Sequence, residues 1–225
     1  MQVKAIVDPR RQPASGRVIP IGTHGLMTMP HERYCFNSRA GSAELALTLL
    51  PLSCGSEDAL KFLARDLSLS GIEAVLAPSQ NVDPAAFTPS RGQYRADILL
   101  NQARRTVGGR VLAVTDADLY VPGLNFVFGM ANHPGGAAVV SLNRLRLAAS
   151  ARLLRERLLK EALHELGHTF GIGHCFDTQC VMSFSTSLSD VDCKTERFCP
   201  ACGEKLTDQG PKRGVIPSKP TGESQ

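Results

Sequence analysis

Twelve consecutive residues, His164-Glu165-Leu166-Gly167-His168-Thr169-Phe170-Gly171-Ile172-Gly173-His174-Cys175, gather three imidazoles, a carboxylate and a thiol. On a helix, residues four apart lie one turn above each other on one face, so His164 and His168 can offer two nitrogens to one metal ion. Glu165 is rotated by one residue step. Its carboxylate falls beside the metal rather than on it, free to take a proton from a zinc-bound water. Gly171, three residues past His168, sits where helices commonly stop on a residue of positive φ, which glycine adopts without steric cost. The chain can then turn and bring His174 back as a third nitrogen. Three protein ligands leave one position open, which separates a catalytic zinc from a structural one.

A second cluster follows directly. Cys175 and Cys180 enclose four residues, and Cys199-Pro200-Ala201-Cys202 is a C-x-x-C knuckle. Two such pairs across a short loop build a closed, structural four-thiolate zinc site. The competing readings are two disulfides or buried free thiols. Cys193 lies between the pairs, belongs to neither, and is a rival ligand.

The elements that must position these groups follow from apolar spacing. Leu45 to Leu52 is an apolar run of strand length, with Pro51 near its end. Ser56 can cap a helix with Glu57 and Asp58 in its first turn and Leu60, Phe62, Leu63 and Leu67 on one face, ended by Gly71. Ile72 to Leu76 reads as a second strand, so strand, helix and strand predict a right-handed crossover and a parallel pair. Ser90 is expected to open a second helix, with Tyr94, Ile98, Leu99 and Ala103 at helical spacing up to Gly108-Gly109. Val111 to Thr115 is a third strand, followed by Asp116-Ala117-Asp118, read as loop hydrogen bonding because two carboxylates are too few for calcium. Asn125 to Ala131 and Ala137 to Leu142 flank His133-Pro134-Gly135-Gly136 and read as an antiparallel hairpin, with His133 incidental in its turn. A helix from about Ala149 to Phe170 carries the metal motif, with Leu154, Leu158, Ala162, Leu166 and Phe170 on its sheet side.

The expected fold class is α/β (α+β), with an N-terminal arm at 1–42, a catalytic domain at 43–206 divided into lobes at 43–173 and 174–206, and a tail at 207–225. Pro9, Pro13, Gly16, Pro20, Gly22, Gly25 and Pro30 interrupt the arm, which shows no periodicity. It holds His24 and His31, read as surface residues, and Cys35, which could cap the zinc. With 25 Lys and Arg against 21 Asp and Glu, and no long basic run, nucleic-acid binding is not expected. No run of eighteen apolar residues predicts a membrane helix, and the start does not look like a signal peptide. An odd seven cysteines, four of them at metal spacing, point to a reducing compartment, so a cytoplasmic location is expected. A monomer is the working expectation, on which the sequence itself is silent.

These motifs together resemble the archaemetzincins, zinc metallopeptidases of the metzincin clan. Their pattern joins the elongated zinc helix to a first cysteine, then to a Cys-x-Met, here Cys180-Val181-Met182, then to a C-x-x-C. The resemblance covers the region after Leu163 and extends to the segment from Val111 to Leu145. It implies a metzincin-like domain: a mixed twisted sheet with an antiparallel edge strand, an active-site helix, and a small C-terminal lobe on a four-cysteine zinc site. It also implies two zinc ions, a catalytic one on His164, His168 and His174 and a structural one on Cys175, Cys180, Cys199 and Cys202. Glu165 would be the general base and Met182 the Met-turn beneath the metal. In metzincins an edge strand pairs with an extended peptide substrate, which here would be Phe126, Val127, Phe128, Gly129 and Met130. The alternative is a zinc-stabilised peptide-binding module without turnover.

Overall fold

Apolar residues alternate along three strand segments, and the alternation decides which helix each side chain meets. The computed structural model describes residues 46–208. Its elements in order are β1 (Leu47–Leu52), α1 (Glu57–Leu69), β2 (Ala74–Leu76), a 3-10 turn (Pro84–Ala86), β3 (Phe87–Thr88), β4 (Gln93–Arg95), α2 (Ala96–Thr106), β5 (Arg110–Thr115), β6 (Leu119–Tyr120), β7 (Gly129–Ala131), β8 (Ala137–Ser141), α3 (Leu142–Leu145), α4 (Ala151–Thr169), α5 (Leu188–Cys193) and α6 (Pro200–Asp208). The N-terminal arm with His24, His31 and Cys35 lies outside the described residues. Helix α6 runs to Asp208, two residues into the segment expected to be tail.

Five strands form one sheet in the order β2-β1-β5-β8-β7. The first four are parallel and β7 pairs antiparallel with β8, so β7 is an edge strand. Each parallel step needs a crossover. Leu47 and Leu49 of β1, Leu112 and Val114 of β5, and Ala138 and Val140 of β8 pack into one core with Leu60, Leu63 and Leu67 of α1 and Leu158, Ala162 and Leu166 of α4. Their alternates Leu50, Leu52, Val111, Ala113, Ala137 and Val139 face a second core with Leu99, Leu100 and Ala103 of α2. The sheet is therefore covered on both faces, and α4 lies against the face on which β7 ends. A small second sheet, β3-β4-β6, supports the chain that leads into β7 through a bridge from Leu119 to Val127.

The mixed sheet, the antiparallel edge and the motif-bearing helix are as the sequence predicts. Three local expectations fail. Ser90 does not open a helix: Arg91 and Gly92 close a turn on the Thr88 carbonyl, Gly92 takes φ 64, and Gln93–Arg95 becomes β4 before α2 starts at Ala96. Tyr94, read as helical, is a strand residue whose amide donates to the Asp118 carbonyl at 2.8 Å, because long-range pairing overrides the local period. Ser56 stands at the N-cap of α1 without a capping bond, and its hydroxyl instead accepts from Arg146 Nη2 at 2.6 Å. Phe62 is exposed, with the Arg155 guanidinium over its ring, rather than in the core.

Asp116 accepts from the Gly55 amide and pairs with Arg146. Asp118 takes both Arg144 donors at 2.7 and 2.8 Å, so these carboxylates serve the loop. The stop at the end of α4 follows the sequence expectation closely. Gly171 takes φ 81, its amide donates to the His168 carbonyl, and the Ile172 amide donates back to Gly167, which is a Schellman closure. Gly171→Ala forces a side chain into that left-handed conformation and should lower stability by about 1–2 kcal/mol, read as a reduced urea midpoint.

Candidate metal centres

His164 and His168 are oriented from outside the helix. His164 Nδ1 lies 2.8 Å from the Val181 carbonyl, and His168 Nδ1 lies 2.8 Å from the Ile172 carbonyl. A carbonyl only accepts, so each Nδ1 carries the proton and each Nε2 presents a lone pair. The two Nε2 atoms stand 3.1 Å apart. Two lone pairs aimed at each other across that gap repel unless a cation lies between them. After the turn at Gly171, His174 joins them, and ligand atoms of the three imidazoles lie within 4.8 Å of one another. The donor set fits a zinc ion with an open position. His174 is the most exposed of the three, with the Phe184 ring at 4.7 Å.

Glu165 is buried against the edge strand. A Cβ at Gly129 would stand 2.7 Å from Glu165 Cγ and Oε1 and 2.8 Å from the Val139 carbonyl, so only glycine lets β7 cross the carboxylate this closely. Burial pushes the Glu165 carboxyl well above the usual range. The Glu161 charge adds to that rise and Lys194 opposes it. Burial likewise holds His164 well below the ordinary histidine range, holds His168 at about 4, and lowers His174. The Lys194 ammonium lowers all three further. A floor closes the site below: a Cβ on Gly167 would collide with the Met182 sulfur, and Phe198 packs beside them.

The four cysteines converge as a second group, with sulfurs within 4.8 Å of one another and Cys175 Sγ 3.7 Å from Cys199 Sγ, far beyond a disulfide bond. All are free. Burial and the neighbouring Cys175 push Cys180 up to about 11, and burial with the Cys180 charge pushes Cys202 higher, so four thiolates need a cation to coexist. The Cys199 amide donates to Cys180 Sγ at 3.3 Å. Cys193, the rival ligand, is exposed and accepts from Gln179 Nε2 at 3.5 Å. This group fits a closed zinc site.

The predicted edge segment is only partly strand. Of Phe126 to Met130, Gly129 and Met130 belong to β7, with Ala131 added at its far end. Val127 bridges to Leu119, Phe128 is buried, and Phe126 packs edge-on to Phe128 beneath the Arg144 guanidinium. Sequence reasoning missed three neighbours of the site. Gly167 carries no chemistry and so no motif signal. His133, read as incidental, stacks on His168 with ring centroids 5.8 Å apart. The turn is held there by the Gly135 amide, which donates to the Thr169 carbonyl at 3.1 Å. The third signal is Lys194, a lysine that no apolar period would place inside.

Comparison with known proteins adds what geometry cannot. The model of peptidase family M54 matches residues 88–208. An archaemetzincin of Methanopyrus kandleri is 54% identical over 131 residues, covering 57% of this chain and 74% of that protein. The crystal structure of archaemetzincin from that organism superposes with a TM-score of 0.68 at 41% identity, over 76% of this chain and 97% of that one. A zinc-dependent peptidase from Methanocorpusculum labreanum superposes with a TM-score of 0.61 at 29% identity, over 71% of this chain and 99% of that one.

The lowered histidines set a pH dependence for metal-free protein. Unfolded, they take up protons near 6.5, while folded His168 does so only near 4. Between those values the unfolded state binds more protons, so the stability present above pH 6.5 is lost as pH falls toward 4. The raised Glu165 opposes part of this. Urea midpoints of the metal-free chain should fall from pH 7 to pH 5, and zinc loading, which keeps histidines and thiols unprotonated only in the folded state, should raise the midpoint at pH 7 and steepen the decline.

Proposed function

The chain belongs to peptidase family M54, whose members are zinc metallopeptidases, and on that premise we propose that it hydrolyses peptide bonds at His164, His168 and His174 with Glu165 as general base. The observation that carries this reading is the set of free Nε2 lone pairs beside a buried carboxylate, next to β7, whose outer edge is unpaired among the described residues. Zinc held by the three imidazoles supplies Lewis acidity, which acidifies water and polarises a carbonyl. Glu165 accepts the proton of the attacking water, and its raised proton affinity suits it to hold that proton and pass it to the leaving amine. A binding module has no use for such a carboxylate, and the family is one of peptidases.

The backbone of β7 supports an extended substrate. Ser141 N donates to Phe128 O, and Asn132 N donates to Ala137 O, so the even-numbered residues of this stretch turn their backbone groups toward β8. Gly129 and Ala131 therefore aim theirs at the open edge, where an antiparallel peptide can pair. That pairing lays the scissile bond across Glu165, which faces Gly129. The four cysteines hold a second, structural zinc that fixes the C-terminal lobe.

Metal content of the purified protein tests the two-site reading. About two zinc ions in the wild type should fall to about one in His168→Ala; an unchanged count in the variant rejects the three-histidine site. Glu165→Gln should keep both ions and abolish peptide turnover, and retained hydrolysis would identify another base. Gly129→Ala, which drives a methyl group into Glu165, should lower kcat about 100-fold with zinc content unchanged.

A further inference from the structure

Among the described residues, Lys194 is the largest fully buried side chain. A buried ammonium is costly unless it is paired. Its Nζ stands 2.7 Å from Glu161 Oε1, and both side chains are within 3% of complete burial. The approach is an ion pair rather than an aligned hydrogen bond, since among the described residues Oε1 finds no hydrogen-bond donor of good geometry. Nζ also donates to the Ser183 carbonyl at 3.4 Å. None of these groups is a ligand, and the proton transfer uses none of them.

Their positions are informative. Glu161 precedes Glu165 by one helical turn and His164 by three residues, so it marks the face of α4 that carries both. Ser183 follows Met182, whose sulfur meets Gly167, and lies two residues after Val181, whose carbonyl orients His164. The segment around Lys194 is tied to this same floor, because Thr195 N donates to Gln179 O at 2.9 Å and Val181 N donates to Arg197 O at 2.8 Å. Lys194 thus reaches from the C-terminal lobe through the floor to the active-site helix.

We propose that Lys194 is a positioning residue for hydrolysis. Its ion pair with Glu161 and its bond to the Ser183 carbonyl fix the spacing between α4 and the Val181–Ser183 floor, and so the aim of His164 and Glu165. Apolar packing tolerates sliding, whereas an ion pair has one preferred distance. A shift of about 1 Å in a reacting group can cost about 100-fold in rate, which is why the spacing matters here. The inference rests on the peptidase reading above.

The test is the double variant Lys194→Met/Glu161→Gln, which removes both charges and leaves neither buried alone. It is compared with wild type in melting temperature, in kcat and KM on a peptide that the wild type cleaves, and in the d–d absorption of cobalt-loaded protein. The double variant should melt close to wild type and keep KM within about threefold, yet lose about 100-fold in kcat and shift its cobalt spectrum. A purely structural pair would instead return kcat along with stability. A folded double variant whose cobalt spectrum matches that of wild type overturns the proposal, whatever its turnover. Should the double variant not fold, Glu161→Gln is read in the same way. Failure of the wild type to cleave any peptide would sink the peptidase reading instead, and the cobalt spectrum would still report on positioning.

Discussion

The last turns of α4 are buried on nearly every side, with only His168 half-exposed, and the rest of the structure follows from that constraint. Glu161, His164, Glu165 and Thr169 lie in the same interior as Leu158, Ala162, Leu163 and Leu166. An ordinary surface helix keeps its polar groups in water. Here the sheet and β7 cover one side and the Met182 floor covers the other, so each polar group must be neutral, paired or hydrogen-bonded. The histidines meet the demand by staying uncharged and donating Nδ1–H to carbonyls. Glu161 meets it with Lys194. Among the described residues Glu165 has no such partner, and burial raises its proton affinity.

Close packing at this point requires two glycines, one for each side. Gly167 admits the Met182 sulfur from below, and Gly129 admits the edge strand from above. The C-terminal lobe has to be held rigidly to keep the floor in place. Arg157, buried on α4, does this by gripping Asp192 at the end of α5 through two bonds of 2.7 Å and taking the Leu145 and Leu147 carbonyls with its third nitrogen, and the four cysteine sulfurs converge in the same lobe. The metal groups and the lobe contacts therefore form one mechanical unit around the helix.

Much of this was legible from residue order. The helix stop at Gly171, the return of His174, the convergence of four cysteines without Cys193, and the parallel pair β1–β2 were each implied by local spacing. Local spacing also misled. Tyr94 matched a helical period but joined β4, because pairing with Leu119 and the turn at Gly92 prevailed. The edge strand came out shorter than Asn125 to Ala131, since Phe126 and Phe128 were drawn into aromatic and cation–π packing.

The sequence by itself determined the chemistry: which imidazoles share a face, which carboxylate stands beside them, and where thiols pair at metal spacing. Those relations span one or two helical turns or a short loop, so chain geometry alone enforces them. Only the tertiary structure decided what surrounds that chemistry. Gly129 on Glu165, His133 on His168, and Lys194 on Glu161 join residues thirty or more positions apart through packing, and no periodicity in the chain encodes contacts of that kind.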